Sequence, residues 1–197
     1  MTRSTECRGY SFLELMIVIA LGVTMSAAAL PEYLTVLDDV RANGAAHHIS
    51  GRFQRARMEA VMRSATVGLQ FTQTSGGYSY AVYLDRNRNG VLTRDIQRGV
   101  DVQITAPERL PDQFTGVEFG AIPGLPPVDS GGTAPGSDPI RLGSGSFASF
   151  SATGSSSAGT VYIRGRRDAQ YAVRIFGETG KTRMLKFERS ARRWRPL

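Results

Sequence analysis

The chain has 197 residues and a formal net charge of +7. Its one cysteine, Cys7, excludes an intrachain disulfide framework. Its only two histidines, His47 and His48, are neighbours that point apart on a helix, which excludes a His-built metal centre and His-dependent catalysis.

Residues 1–9 are polar and weakly basic, with Arg3 and Arg8. Residues 10–30 are nearly all apolar or small, and Glu14 is their one acid. A helix of that length rises about 31 Å, enough to cross a bilayer core. A carboxylate inside such a segment costs about 2.5–3.5 kcal/mol or more, so it needs a partner or a purpose. An ordinary secretory signal would be cut after the apolar run, and Ala27, Ala28 and Ala29 could supply that site.

The string G-Y-S-F-L-E-L-M-I-V-I-A resembles the leader junction of type IV pilins and pseudopilins. The resemblance implies a cut after Gly9 by a prepilin peptidase, N-methylation of the new terminus at Tyr10, and a carboxylate, Glu14, five residues into the mature chain. Pro31 falls where such proteins often place a proline. The resemblance further implies a protein that is single-pass in the bacterial inner membrane. Its C-terminal domain would be periplasmic, at the filament tip after assembly. Arg3 and Arg8 agree with a cytoplasmic leader.

Beyond Pro31 the helical pattern resumes. Leu34, Leu37, Arg41, Ala45, His48, Arg52, Ala56 and Ala60 fall on three-four spacing, with Ile49 and Phe53 alongside. This predicts an amphipathic helix to about Ser64, bent at Pro31 rather than ended there. The period then changes to two. Strands are predicted over residues 66–73 and 78–84 around a Ser75-Gly76-Gly77 turn, and over 100–105, 147–152, 160–164, 170–176 and 182–188. The Gly-, Pro- and Ser-rich run 120–146 is expected to be an exposed loop that buries little. The expected division is leader 1–9, membrane or filament-core helix 10–30, amphipathic helix 31–65 and β-rich domain 66–197. The fold class is α+β, with a long N-terminal helix packed on an antiparallel sheet.

Three softer strings narrow the resemblance: A-R-M-E-A-V-M-R-S-A-T-V-G-L, F-S-A-T-G-S-S-S-A-G-T-V-Y-I and Y-A-V-R-I-F-G-E-T-G-K-T-R. Together they resemble the FimT/GspH group of minor pilins and pseudopilins. That implies a subunit of a type IV filament, in type II secretion or in a pilus, whose partners are the prepilin peptidase and sibling subunits. In a filament, Glu14 would meet the terminal amine of a neighbouring subunit.

The charge excess sits in the tail: residues 161–197 hold eleven Lys or Arg and three acids. Such a tail suits nucleic acid, a lipid surface, or simply a solvated basic edge. Some FimT proteins bind DNA through a Gly-Arg-x-Arg motif in the terminal hairpin. Gly180-Lys181-Thr182-Arg183 holds that place, with a lysine that lacks the bidentate fork. The candidate DNA-binding residues are Lys181, Arg183, Arg166, Arg167, Arg192 and Arg193, with Trp194 and Phe187 as candidate stacking partners. Asp85, Asn87 and Asn89, in D-R-N-R-N-G, match the start of a calcium loop. The twelfth position is Ile96 rather than an acid, and the same residues also suit a plain turn. No nucleophile elbow, phosphate loop or paired-acid arrangement stands out, so neither an enzyme nor a cofactor is expected.

Overall fold

The computed structural model describes residues 10–129, 131–143 and 145–197. The leader residues, including Gly9, lie outside the described residues. Helix α1 runs from Phe12 to Arg63 and passes through Pro31 without ending. The chain forms two compact units, one up to Leu37 and one from Asp38 onward. In the first, the apolar side chains between Phe12 and Leu30 are exposed, and the segment is long and apolar enough to cross a membrane.

In the second unit, α1 buries one stripe: Asp38, Ala42, Ala45, Ala46, Ile49, Phe53, Ala56 and Ala60. Small residues dominate, so strands approach the helix closely and Phe53 reaches furthest into the core, 6.2 Å from the Phe150 ring and 6.3 Å from Phe71. The expected stripe was one step off in places. Arg41 is exposed, and His48 and Arg52 lie half-buried at its edge.

Two antiparallel sheets meet this stripe. The first has β1 (Val67–Thr74) and β2 (Gly77–Leu84) as a hairpin, with Gly77 at φ +103°, a value that favours glycine. β7 (Phe147–Phe150) lies beside β1, and the two-residue strands β3 (Val102–Gln103) and β4 (Glu108–Arg109) lie beside β2. The second sheet is a meander of β8 (Gly159–Arg164), β9 (Gln170–Ile175), β10 (Thr182–Glu188) and β11 (Arg193–Pro196). β5 (Glu118–Phe119) and β6 (Ile140–Leu142) both pair with β8. Two short helices, α2 (Thr93–Gln97) and α3 (Leu110–Gln113), complete the fold.

The predicted strands are present, but 100–105 shrinks to two residues. The Gly/Pro-rich run is the larger correction. Ile122 and Leu125 are buried on the outer face of the second sheet, against Tyr162, Ala172, Leu185 and Phe187. Gln170, itself buried, accepts from Ile122 N–H and donates to the carbonyls of Gly120 and Ile163, fastening the loop's first turn. Trp194 donates from Nε1 to Pro126 O at 3.0 Å. A few apolar residues in a Gly/Pro setting thus bury the middle of a sheet face.

Candidate functional site

The tail cations are divided by the meander. The β8–β9 and β10–β11 turns share one end of the sheet, and the β9–β10 turn lies at the other. Six residues of strand separate the ends, about 20 Å.

The first end is tied to the start of the helix's buried stripe. The buried Asp38 carboxylate accepts the backbone N–H of Arg166 and of Arg167, both at 2.8 Å. Gly165 packs so closely on this carboxylate that a Cβ there would collide with it. Asp39 accepts from Tyr171 Oη at 2.9 Å and from Lys186 Nζ at 2.7 Å. Burial, and then this contact with Asp39, hold the Tyr171 phenol above its ordinary range. An Arg189–Asp168 ion pair at 2.9 Å joins the two turns. Arg193 and Arg195 share Glu188. The Arg166, Arg167 and Arg192 side chains are exposed and, among the described residues, have no carboxylate partner.

The other end is held by the later helix. Ser50 and Gln54 bond to the Thr182 hydroxyl at 2.8 and 3.1 Å, and Arg57 donates to Gly154 O beside Gly180. Thr182 therefore faces inward, while Lys181 and Arg183 face solvent. The Arg183 guanidinium lies 5.5 Å from the ring of Phe176, which is exposed. The candidate stacking partners Trp194 and Phe187 are not at this end. They pack together at 5.3 Å under the Gly/Pro loop.

The D-x-N-x-N-G stretch closes on its own hydrogen bonds. Asp85, buried, accepts the backbone N–H of Asn87, Arg88 and Gly90. The side chains of Asn87 and Asn89 donate to Asp95, and the Asn89 bond in particular holds that carboxyl below its ordinary range. Among the described residues, no group of three or more His, Cys, Asp or Glu is placed to hold a metal ion.

A polar network that sequence reasoning missed lies between the helix and β2 and β4. Glu108 pairs with Arg52 and accepts from Tyr80 Oη at 3.0 Å, and His48 Nε2 lies 3.0 Å from the same hydroxyl. Burial pushes Glu108 up, but bonds from Arg52, Tyr80 and His48 outweigh it and leave the carboxyl below its ordinary value. His47, by contrast, is exposed. Asp38 was also missed. Its signal was an acid at the head of an otherwise small and apolar stripe.

In the first unit, Tyr10 and Glu14 are exposed, and Glu14 lies in the first turn of α1.

A long N-terminal helix with an exposed apolar half, whose other half is packed on antiparallel sheets, is the architecture of pilin-like proteins. The model of the family "Type II transport protein GspH" matches residues 45–179, and the chain belongs to that family. "Pilin-like protein PilA1" of Thermus thermophilus is 37% identical over 83 residues, which are 42% of this chain and 51% of the relative. The match thus spans about half of the relative's length. No solved structure matches.

Proposed function

We propose that the protein is a minor pilin or pseudopilin, a structural or initiating subunit of a type IV filament serving type II secretion or pilus assembly. One observation carries this reading: an exposed apolar helix whose only acid between residues 10 and 30 is Glu14, four residues after Tyr10. Cleavage after Gly9 by a prepilin peptidase would free an α-amine at Tyr10. In a bundle of such helices, each Glu14 would meet the amine of a neighbour. The opposite charges attract strongly in low dielectric, and either alone is costly, so the pairing draws a subunit from bilayer to bundle in register. The soluble domain would then lie in the periplasm.

The test is Glu14→Ala, followed by membrane fractionation and by cross-linking to sibling subunits in cells. Membrane insertion is expected to persist while cross-linking is lost. Cross-linking at the unsubstituted level would overturn the role given to Glu14.

A second reading, DNA capture for uptake, is favoured by one feature, the pairing of exposed Lys181 and Arg183 with Phe176 at a hairpin end. Cations supply phosphate contacts, and Phe176, 38% exposed with the Arg174 and Arg183 guanidinium groups over its ring, supplies the aromatic surface at this end.

A further inference from the structure

The other basic end has a different setting. Asp38, which fastens the β8–β9 turn, follows Leu30 by only eight residues, so even a fully extended connection tethers this end within about 28 Å of the apolar segment. Gln54, which holds the Lys181 end, is sixteen residues further on, about 24 Å. Arg166, Arg167 and Arg192, exposed and without a carboxylate partner among the described residues, are drawn together at this shortly tethered end by the Asp168–Arg189 pair.

We infer that Arg166, Arg167 and Arg192 form a rim that docks the soluble domain onto anionic phospholipid headgroups of the membrane that anchors it. The inference rests on the membrane anchoring proposed above.

Three features favour a lipid surface over nucleic acid here. Arg167 and Arg192 are carried on two short turns and are exposed, so they can meet a plane of charge together. The aromatics at this end offer no open face to a base: Trp194 is committed to Pro126 O and the Phe187 ring, and Tyr171 is buried with its hydroxyl on Asp39. The neighbouring acids are already consumed: Asp38 by two backbone N–H groups, Asp39 by Lys186, Asp168 by Arg189 and Glu188 by Arg193 and Arg195. Guanidinium groups with no internal carboxylate keep their charge available to phosphates, and phosphate accepts their fork well. Three such residues near an anionic surface shift a docking equilibrium by roughly a hundredfold. Docking of this kind would hold the domain against the bilayer until assembly lifts the helix out.

The full chain, carrying Cys7→Ser and Ser190→Cys with a fluorophore on the new thiol, is placed in lipid nanodiscs that contain a headgroup-spin-labelled lipid. Discs of phosphatidylcholine are compared with discs containing phosphatidylglycerol. Ser190 is exposed in the β10–β11 turn. Strong quenching is expected only with phosphatidylglycerol, and high salt should reverse it. The triple substitution Arg166→Gln, Arg167→Gln, Arg192→Gln should abolish the quenching with the melting temperature unchanged, because Asp38 binds backbone N–H groups that survive the change. Equal quenching in both kinds of disc, or full quenching of the triple variant, overturns the inference. A response to added duplex DNA without a response to phosphatidylglycerol overturns it in favour of nucleic acid. Failure of the chain to enter discs at all would instead count against the anchoring.

Discussion

Asp38 and His48 are buried or half-buried polar groups on the helix face that meets the sheets, and each is tolerated for a different reason. Asp38 is tolerated because two backbone N–H groups replace water around its carboxyl, each such bond to a charged group contributing about 1.5–3 kcal/mol. His48 is held the other way. Burial, and then the Arg52 guanidinium, lower its pKa below the ordinary 6.5, against the opposing pull of Glu108. Tyr80 and the edge of Phe114, 5.7 Å away, close the remaining sides. The unfolded chain therefore binds a proton on His48 more readily than the folded one. The stability held by neutral His48 is complete above pH 6.5 and is lost as pH falls through the lowered value. Glu108, with a lowered pKa, adds a second loss further into acid, below its ordinary 4.5. Thermal melting of the full chain should fall between pH 7.5 and pH 5, and His48→Gln should flatten that fall while leaving the Glu108 decline at lower pH. A variant whose melting still fell as steeply over the upper window would refute the assignment to His48.

At the scale of elements, the Gly/Pro-rich loop behaves as part of the core. Leu125 is 3% exposed and packs on an otherwise bare sheet face. Leu125→Ala should cost about 2–4 kcal/mol, read by chemical denaturation, and should open the loop to proteases. A variant as stable and as resistant as the parent would mean that the loop merely rests on the sheet. This is also where the sequence was least legible. The helix and the long strands follow from periodicity, because a stripe such as Ala42, Ala45, Ile49, Phe53 and Ala56 repeats over several turns. Strands β4, β5 and β6 are two or three residues long and carry no period at all. They exist because β2 and β8 offer unpaired edges. Ile122 and Leu125 are isolated apolar residues in a breaker-rich run, and only the tertiary partner Gln170 shows why they turn inward. The basic residues were legible as a group but their separation was not. Which turns of a meander share an end depends on the strand count between them, and β11 was not foreseen.

For the molecule as a whole, that separation decides what nucleic-acid binding could look like. Had all the tail cations formed one patch, a duplex would displace many counterions and its affinity would collapse with salt. The fold leaves Lys181 and Arg183 at one end, and the outer sheet face between the ends is covered by Ile122, Leu125 and Trp194 rather than by cations. The further guanidinium groups near this end are engaged within the fold: Arg57 donates to Gly154 O at 3.1 Å, and Arg174 pairs with Asp129 at 2.5 Å. Two phosphate contacts give a slope of log affinity against log salt of about −2. With the full chain in phosphatidylcholine discs, where the lipid rim has no anionic partner, duplex binding should show that shallow slope. Lys181→Ala with Arg183→Ala should remove it. Arg166→Gln with Arg167→Gln should leave it unchanged, because those side chains lie about 20 Å away at the opposite end of β9. A slope several times steeper, reduced equally by substitutions at either end, would show that a duplex bridges both ends and that the division of charge read from the meander does not govern binding.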